Sequence, residues 1–387
     1  MVRRALMLVV VLLVYSSLNV YIGWHGLYYW QALGSPPSTA AYLIVFAVIA
    51  VSYLLGRIPR SGPPGRLLKV IGSYYFAVFE FAVLLLPAAD LAAWLLRLSG
   101  MPPRTTVLAV GTAALAILIV LLLRGSWNAW NPIVRTYEMT IDKPAGGLEE
   151  LRIAVASDLH LGNVVGNRHL GRMVERMNAM QPDLILLPGD ILDDVIEPFL
   201  RNGMARTMER LRARFGIYAV LGNHEYYGGH IEEHARQMES IGVRLLRDEV
   251  AEAADGAFYV AGRKDKTAET AEEGGRLATA ALLAGVDKSR PVFVMDHQPY
   301  EFALTAAAGA DLLVCGHTHR GQFAPNHWIT RRLFELDWGY MRKDKMHVVV
   351  SSGYGSWGPP IRLASRSEII ELIVRFRAPG AECAGNG

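Results

Sequence analysis

Four long apolar stretches precede residue 125, and they constrain the fold of this 387-residue chain more than any other feature. They cover residues 6–24, 39–55, 70–96 and 105–123. A helix needs about 20 apolar residues to cross roughly 30 Å of hydrocarbon, so three stretches are long enough and the second is at the short limit. Tyr and Trp side chains at the ends of the first and last stretches are typical of a membrane interface. We therefore expect residues 1–130 to form a membrane domain of about four transmembrane helices.

The alternative for this region is a cleaved signal peptide followed by buried soluble helices. It accounts for the first stretch but not for three further stretches without a polar face. Two acidic residues, Glu80 and Asp90, fall within the third stretch. An acidic residue inside a membrane is a functional hypothesis by default, although Asp90 could instead lie near an interface.

The basic residues of the front half predict its orientation. Residues 1–130 contain nine Lys/Arg and two Asp/Glu, a net charge of +7, whereas the remaining 257 contain thirty and thirty-four, a net charge of −4. The segments that flank the predicted transmembrane helices on one side of the membrane hold most of the basic residues. Those on the other side hold only Arg97 and Arg104. The positive-inside bias favours a cell-membrane protein with both termini and the soluble part in the cytoplasm. The basic side carries Arg3, Arg4, Arg57, Arg60, Arg66, Lys69 and Arg124.

The back half alternates short β-branched runs with helical patterns, which predicts a layered α/β domain over residues 151–376. Residues 131–150 are expected to form a linker and edge strand, and residues 377–387 a flexible tail. The strands are predicted at residues 151–157, 183–188, 216–221, 258–261, 291–295, 311–315, 347–351 and 368–374. The helical patterns between them include residues 170–180, 205–215, 231–241 and 278–284.

Five polar clusters follow predicted strands, at the edge where parallel sheets place their ligands. Together they supply carboxylate, amide and imidazole groups, which suit Mn, Fe, Zn or Co better than Ca. Taken singly, each cluster could be a solvated turn, and Asp190 could be an ordinary helix N-cap. Their occurrence together predicts two adjacent divalent ions bridged by Asp190. The clusters are Asp158-Leu159-His160, Gly189-Asp190, Gly222-Asn223-His224-Glu225, Asp296-His297 and Gly316-His317-Thr318-His319.

These clusters, together with Asp193, resemble the signature of calcineurin-like metallophosphoesterases over about residues 150–376. The resemblance implies a four-layer α/β/β/α sandwich holding two metals. One metal would be bound by Asp158, His160, Asp190 and His319, and the other by Asp190, Asn223, His297 and His317.

The same resemblance implies catalytic roles for further residues. His224 would donate a proton or hydrogen bond to the phosphoester oxygen, and Asp193 belongs to the same motif. The run Gly316-His317-Thr318-His319-Arg320-Gly321-Gln322 is similar to a membrane-associated bacterial branch, with Arg320 at a variable position. The Arg320 side chain could pair with a substrate phosphate or could be an ordinary surface arginine.

The expected activity is metal-dependent hydrolysis of a phosphodiester or pyrophosphate bond, with a metal-activated hydroxide attacking phosphorus in line. The tether to the membrane favours a lipid-linked substrate and contacts with membrane lipids. An anchored phosphodiesterase of soluble nucleotides or cyclic nucleotides is the alternative, and a non-catalytic metal-binding membrane scaffold is a further one. A nucleic-acid partner is not expected, because the back half is acidic and has no basic stripe. The sequence does not predict the oligomeric state.

Overall fold

The computed structural model of the chain describes residues 2–34, 38–56 and 62–377. The loop residues Arg57 and Arg60 and the predicted tail beyond residue 377 lie outside them. Two compact units are present, residues 1–126 and 127–387.

The first unit consists of long apolar helices. Three of its helical segments, Ala5–Leu33, Pro63–Leu98 and Pro103–Trp130, are long and apolar enough to cross a membrane, whereas the segment Thr39–Leu55 has only 17 residues. Most of their aliphatic side chains are exposed, as expected of surfaces that contact lipid. The helices are α1 (Val2–Leu33), α2 (Thr39–Leu55), α3 (Gly62–Leu98) and α4 (Pro103–Trp130).

Polar side chains join the helices of the first unit to one another. The Tyr75 hydroxyl on α3 donates to Asn19 Oδ1 on α1 at 2.5 Å. Asp90 on α3 accepts a hydrogen bond from the Tyr21 hydroxyl at 2.5 Å, and His25 Nε2 lies 3.4 Å from its other oxygen. Hydrogen bonds of this kind stabilise helix pairs in a medium without water. Asp90 therefore joins α1 to α3.

Two mixed six-stranded sheets form the second unit. In the first sheet the strands lie in the order β1-β12-β2-β3-β4-β5, and in the second in the order β10-β11-β9-β8-β7-β6. Among the described residues, only β12–β2, β10–β11 and β6–β7 pair antiparallel. The strands are β1 (Ile133–Ile141), β2 (Glu150–Val155), β3 (Leu184–Pro188), β4 (Ile217–Val220), β5 (Val243–Leu245), β6 (Glu249–Ala253), β7 (Phe258–Gly262), β8 (Val292–Met295), β9 (Leu312–Cys315), β10 (Gly339–Lys343), β11 (Met346–Val350) and β12 (Glu368–Phe376).

Helices cover the outer faces of the two sheets, and this gives the predicted α/β/β/α sandwich. Met173 and Met238 pack against the first sheet, Phe302 packs against the second, and Ile153 and Phe258 lie in the core between the sheets. The helices are α5 (Asn167–Ala179), α6 (Glu197–Arg201), α7 (Met204–Met208), α8 (Asn223–Gly228), α9 (Ile231–Ser240), α10 (Ala268–Ala271), α11 (Thr279–Leu282), α12 (Phe302–Ala307) and α13 (His327–Leu333), with a 3-10 turn at His319–Gly321.

The predicted strands are all present, but three further strands were not predicted. Strands β5, β6 and β10 are short or rich in Ala and charged residues, so they lack the β-branched pattern that marks the others. The helix predicted at residues 205–215 is wrong in length, because α7 ends at Met208 and the chain then turns to bury Leu211.

Candidate metal centre

The five predicted clusters meet at one edge of the sandwich. Strands β2, β3 and β4 are parallel neighbours in one sheet, and β8 and β9 are parallel neighbours in the other. Their carboxyl ends therefore open onto the same side. Direct hydrogen bonds connect the two sheets there: the backbone N–H of His317 donates to Asp158 Oδ1 at 2.8 Å, and His297 Nδ1 donates to the Pro188 carbonyl at 2.9 Å.

Potential metal ligands converge at this edge in two main groups. Asp158, His160 and His319 form one group, and Asp190, His297 and His317 form another; within each group, ligand atoms lie within 4.8 Å of one another. A third combination joins His160 of the first group and Asp190 of the second group to His224. All of these residues are buried except His317, which is partly exposed.

The two imidazoles of the first group lie close to its own carboxylate and to that of Asp190 in the second group. His160 Nε2 lies 3.0 Å from His319 Nε2, and His319 Nε2 lies 3.6 Å from Asp158 Oδ1. Asp190 Oδ2 is 3.9 Å from His160 Nε2. Two ring nitrogens and two carboxylate oxygens therefore face a common point.

The second group contains the same oxygen of Asp190. Asp190 Oδ2 lies 3.1 Å from His297 Nε2. Asn223 Oδ1 lies 3.2 Å from His297 Nε2 and 2.8 Å from His317 Nδ1. Asp190 Oδ2 thus stands between the two groups, and Asn223 adds an amide oxygen to the second.

The buried atoms of the first group fit a cation. Asp158 Oδ2 is buried and has no hydrogen-bond partner of acceptable geometry among the described residues. Burial of a carboxylate is costly, and it raises the pKa of Asp158 to about 6. Nitrogen and oxygen donors of this kind suit borderline divalent ions.

The histidines of the site are largely held in the neutral form that binds metals. Burial lowers the pKa of His160 to about 3 and that of His317 to about 4. It also lowers the pKa of His319 well below the usual range. His297 differs, because the neighbouring Asp190 carboxylate outweighs burial and raises its pKa. Binding of a cation through His297 Nε2 would therefore release a proton.

The ligand loops hold strained backbone conformations. Asp158, His160, Asp190, His317 and His319 all have positive φ, between 46° and 74°. Residues other than glycine rarely adopt a positive φ, and those that do are concentrated at functional sites. The strain turns successive ligands towards one point.

Two glycines permit the close approach of these loops. A Cβ on Gly222 would lie 2.1 Å from Asp190 Oδ1, and one on Gly189 would lie 2.5 Å from His297 Nδ1. Gly189 also has a φ of +86°, which glycine adopts without penalty. Any larger residue at either position would displace a ligand.

Glu225 ties two of the ligand loops together. Its carboxylate accepts the backbone N–H groups of Asp190 at 3.2 Å, Leu192 at 2.8 Å and Gly222 at 2.7 Å. These donors follow β3 and β4, so one buried side chain sets the spacing of Asp190 and Asn223. The sequence predicted no role for Glu225, and only its position directly after His224 drew attention to it.

Arg362 contacts the His319 ring at Nδ1, the nitrogen that does not face His160. Its guanidinium is fully buried and donates to the Ser352 carbonyl at 2.7 Å and to Ser365 Oγ at 2.9 Å. Its Nη2 lies 2.9 Å from His319 Nδ1. The position of Arg362 in a glycine-rich segment near the end of the chain did not reveal this contact.

His224 lies beside the ligand groups. Its ring centroid is 4.7 Å from that of His160, and its backbone N–H donates to Asp190 Oδ1 at 2.9 Å. Its Nδ1 donates to Asp194 Oδ1 at 2.7 Å. Burial alone would lower the pKa of His224, but the hydrogen bond to Asp194 and the surrounding carboxylates outweigh it and raise the pKa to about 9.

The other two predicted catalytic residues lie at the edges of the site. Asp193 is buried, and its charge contributes to the raised pKa of His224, although the carboxylate bonded to that ring belongs to Asp194. The Arg320 guanidinium stacks over the Trp338 ring at 4.2 Å. This contact anchors Arg320 next to His319.

Comparison with known proteins identifies the family. A family model described as "Calcineurin-like phosphoesterase" matches residues 151–321. A Bos taurus protein named "Transmembrane protein with metallophosphoesterase domain" is 32% identical over 351 residues, which cover 86% of this chain and 77% of that protein. The chain belongs to the calcineurin-like metallophosphoesterase family. The predicted family is confirmed, and the bacterial branch stays a prediction.

Other metallophosphoesterases are similar over smaller parts of the chain. A Danio rerio protein, also named "Transmembrane protein with metallophosphoesterase domain", is 31% identical over 272 residues, 68% of this chain and 62% of that protein. The chain thus spans less than two thirds of its length. An "Uncharacterized metallophosphoesterase" of Aquifex aeolicus is 32% identical over 247 residues, 62% of this chain and 91% of that protein. Membership of this metallophosphoesterase family points to hydrolysis of phosphoesters.

Proposed function

We propose that this chain is a membrane-anchored phosphoesterase that uses two divalent ions to hydrolyse a phosphodiester or pyrophosphate bond. The observation that carries the proposal is the position of Asp190 Oδ2, within 3.9 Å of His160 Nε2 and 3.1 Å of His297 Nε2. One carboxylate oxygen between two sets of ligands is the arrangement expected of a bridging ligand.

The residues divide naturally between two ions of the Mn, Fe, Zn or Co type. Asp158, His160, Asp190 and His319 would hold the first, and Asp190, Asn223, His297 and His317 the second. Divalent ions bound there would lower the pKa of water and neutralise charge on the phosphoester oxygens. Glu225 and Arg362 would keep the ligands in register, because residues that support metal ligands affect affinity nearly as much as the ligands themselves.

His224 is the proton donor in this proposal. Its Nδ1–H is engaged by Asp194, which leaves Nε2 free to face the leaving oxygen, and Nε2 carries a proton to donate when the ring is in its imidazolium form. The raised pKa of about 9 keeps the ring protonated near neutral pH. General-acid assistance of this kind typically contributes about 10²–10⁴-fold. Asp193 adds negative charge that favours the protonated ring, and Arg320 is a candidate for binding a substrate phosphate.

A lipid-linked phosphoester is the proposed substrate class. The apolar helices hold the chain at a bilayer, and the exposed rings of Trp357 and Tyr227 lie 6.4 Å and 5.7 Å from the His224 ring. Ile361, at the end of the apolar run that starts at Trp357, is buried and takes no part in this surface. The proposed location is the cytoplasmic side of the cell membrane, which follows from the distribution of arginines in the sequence.

The test compares two site variants in the purified full-length protein. Asp190→Ala should lose both bound metals by elemental analysis and all turnover of bis(p-nitrophenyl) phosphate. His224→Ala should keep both metals and lose about 10²–10⁴-fold in turnover. His230→Ala is the matched control, because His230 is exposed and outside the site, and it should change neither property.

The outcomes separate the competing functions. Retention of two metals and full turnover by Asp190→Ala would contradict the bridging assignment. Wild-type protein with two bound metals and no turnover of any phosphoester would favour the scaffold. Faster turnover of soluble nucleotides or cyclic nucleotides than of lipid-linked phosphoesters would favour the anchored nucleotide phosphodiesterase.

A further inference from the structure

An exposed apolar surface lies on the segment between His319 and strand β10. Helix α13 has no buried residue. Trp328 is 66% exposed, Ile329 57% and Leu333 67%. We call these three residues, with the exposed Arg331 and Arg332, the α13 patch. Large apolar side chains grouped on a surface in this way mark an interaction site.

The α13 patch is held firmly against the metal centre. Phe334, which follows the helix, packs with its ring 6.2 Å from that of His317. Thr330 Oγ1 donates to Asp337 Oδ2 at 2.6 Å, and the Asp337 carbonyl accepts from Thr318 Oγ1 at 2.5 Å. Thr318 lies between two ligand histidines, so the patch keeps a defined position beside the site.

Other exposed apolar side chains lie on the same side of the second unit. Trp357 is 58% exposed and Tyr227 66% exposed, and both rings contact His224. Gln322 joins the two regions, because its amide donates to the Trp357 carbonyl at 3.0 Å. Trp357 and Tyr227 therefore place exposed apolar rings beside the metal centre.

The segment that contains α13 carries positively charged residues without nearby acidic ones in sequence. Residues 319–334 contain three arginines and no Asp or Glu. The next acidic residue, Glu335, is paired with Lys343 at 2.7 Å. Arg331 and Arg332 thus lie between Ile329 and Leu333 in the sequence of this exposed helix. Basic residues interleaved with Trp and Leu are typical of surfaces that bind anionic lipid headgroups.

We propose that the α13 patch inserts into the headgroup region of an anionic bilayer and places the mouth of the metal centre at the lipid surface. A bilayer is the chosen occupant because the surface is basic as well as apolar, and because the same chain carries helices long enough to span one. The inference rests on the proposed function only in its consequence, that a phosphoester embedded in the lipid reaches the site directly. The contact itself does not depend on hydrolysis.

The experiment measures immersion of α13 with full-length protein in nanodiscs. A nitroxide is attached at Leu333→Cys, or at Ile329→Cys, in a Cys383→Ser background; Cys315 is buried and does not compete. The ratio of oxygen to nickel-chelate collision rates should rise several-fold over that of Glu252→Cys, an exposed control position on β6. Equal ratios at the three positions would overturn the proposal, and so would shielding from both reagents, which indicates a protein contact.

A second measurement tests the charges. The double variant Arg331→Glu/Arg332→Glu should reduce immersion at position 333 in nanodiscs containing phosphatidylglycerol. The matched control Arg342→Glu/Lys345→Glu makes the same change of charge at an exposed position on β10 and another in the turn that follows it, and it should have no effect. An equal effect of both double variants would contradict a specific contact with α13.

Activity assays separate this inference from the proposed function. Trp328→Ser/Leu333→Ser should retain turnover of bis(p-nitrophenyl) phosphate and lose most turnover of a phosphoester embedded in the nanodisc. Immersion without turnover of any substrate would leave the membrane contact in place and contradict the proposed function. Turnover without immersion of α13 would support the proposed function and contradict the membrane contact.

Discussion

Buried histidines of the second unit serve two purposes. Those at the strand ends face other ligands, as His160 faces His319 at 3.0 Å. His234 is equally buried on α9 but faces no ligand group, and neither of its ring nitrogens forms a hydrogen bond among the described residues. Its Nδ1 lies 4.0 Å from Glu225 Oε1. His234 therefore acts as a packed neutral ring, and its effect should be on stability.

His234 should make the protein sensitive to acid. Burial lowers its pKa to about 4 from an ordinary value of about 6.5. As the pH falls, His234 takes up a proton in the unfolded chain before it does so in the folded protein. The contribution of the neutral His234 ring to the free energy of unfolding is therefore complete above about pH 6.5 and is lost between about pH 6.5 and 4. The loss is about 3 kcal/mol at 1.36 kcal/mol per unit. His234→Phe should flatten this part of the stability profile, measured by chemical unfolding of the full-length protein at several pH values.

The control for this prediction lies directly before the same helix. His230 precedes α9 and is exposed, so His230→Phe should leave the acid dependence of unfolding unchanged. Identical slopes in wild type and His234→Phe would show that the ring is not the source of the acid sensitivity.

At the scale of elements, the end of helix α4 belongs to the catalytic unit. The second unit begins at Trp127, so it contains the last turn of α4. Asn128 Nδ2 donates to the Arg362 carbonyl at 2.9 Å, and its own carbonyl accepts from Ser367 at 3.1 Å. Since Arg362 contacts His319, a chain of hydrogen bonds connects this turn to a candidate metal ligand.

Asn128→Ala should weaken metal binding as well as stability. The Arg362 carbonyl would lose its buried partner, which costs about 1–3 kcal/mol. Displacement of Arg362 should lower metal affinity about 10–100-fold, the usual effect of residues that support ligands. Isothermal titration with Mn²⁺ measures the affinity. Asn131→Ala is the control, because its side chain bonds only to the exposed Trp127 carbonyl. A loss of stability at unchanged affinity would assign Asn128 a structural role alone.

At the scale of the whole molecule, the site concentrates buried polar groups that a cation would satisfy. Asp158 and Asp190 are both fully or nearly fully buried, and burial together with the charge of Asp190 raises the pKa of Asp158. Ligands that bind only the folded state stabilise it, by about 4 kcal/mol when their concentration is 1,000 times Kd. The metals should therefore contribute strongly to the stability of the second unit.

Chelation should lower the thermal midpoint of the second unit by about 10 °C, since 1 kcal/mol corresponds to about 2–4 °C in a domain of this size. Near-ultraviolet circular dichroism of the full-length protein with and without chelator measures the shift. Asp190→Ala should unfold at the same temperature in both conditions. A wild-type midpoint that does not respond to chelator would contradict metal binding by the buried groups.

The sequence by itself determined the features that depend on local composition. Apolar length predicted the membrane helices, because the thickness of hydrocarbon sets a minimum span. The β-branched runs predicted eight strands, and the residues after them predicted the ligands from Asp158 to His319. Strands β5, β6 and β10 escaped this reasoning, because pairing with a neighbour rather than composition makes them strands.

Tertiary structure alone decided which distant groups touch. The contact of His224 with Asp194 rather than Asp193, the bond from Arg362 to His319 and the exposure of α13 all depend on how loops close over the sheet edges. No local sequence pattern encodes such contacts, because a shift of a loop by one residue would bring a different side chain to the same place. The candidate ligands were therefore readable along the chain, whereas the residues that support them and the surface around them depend on how the two sheets pack together.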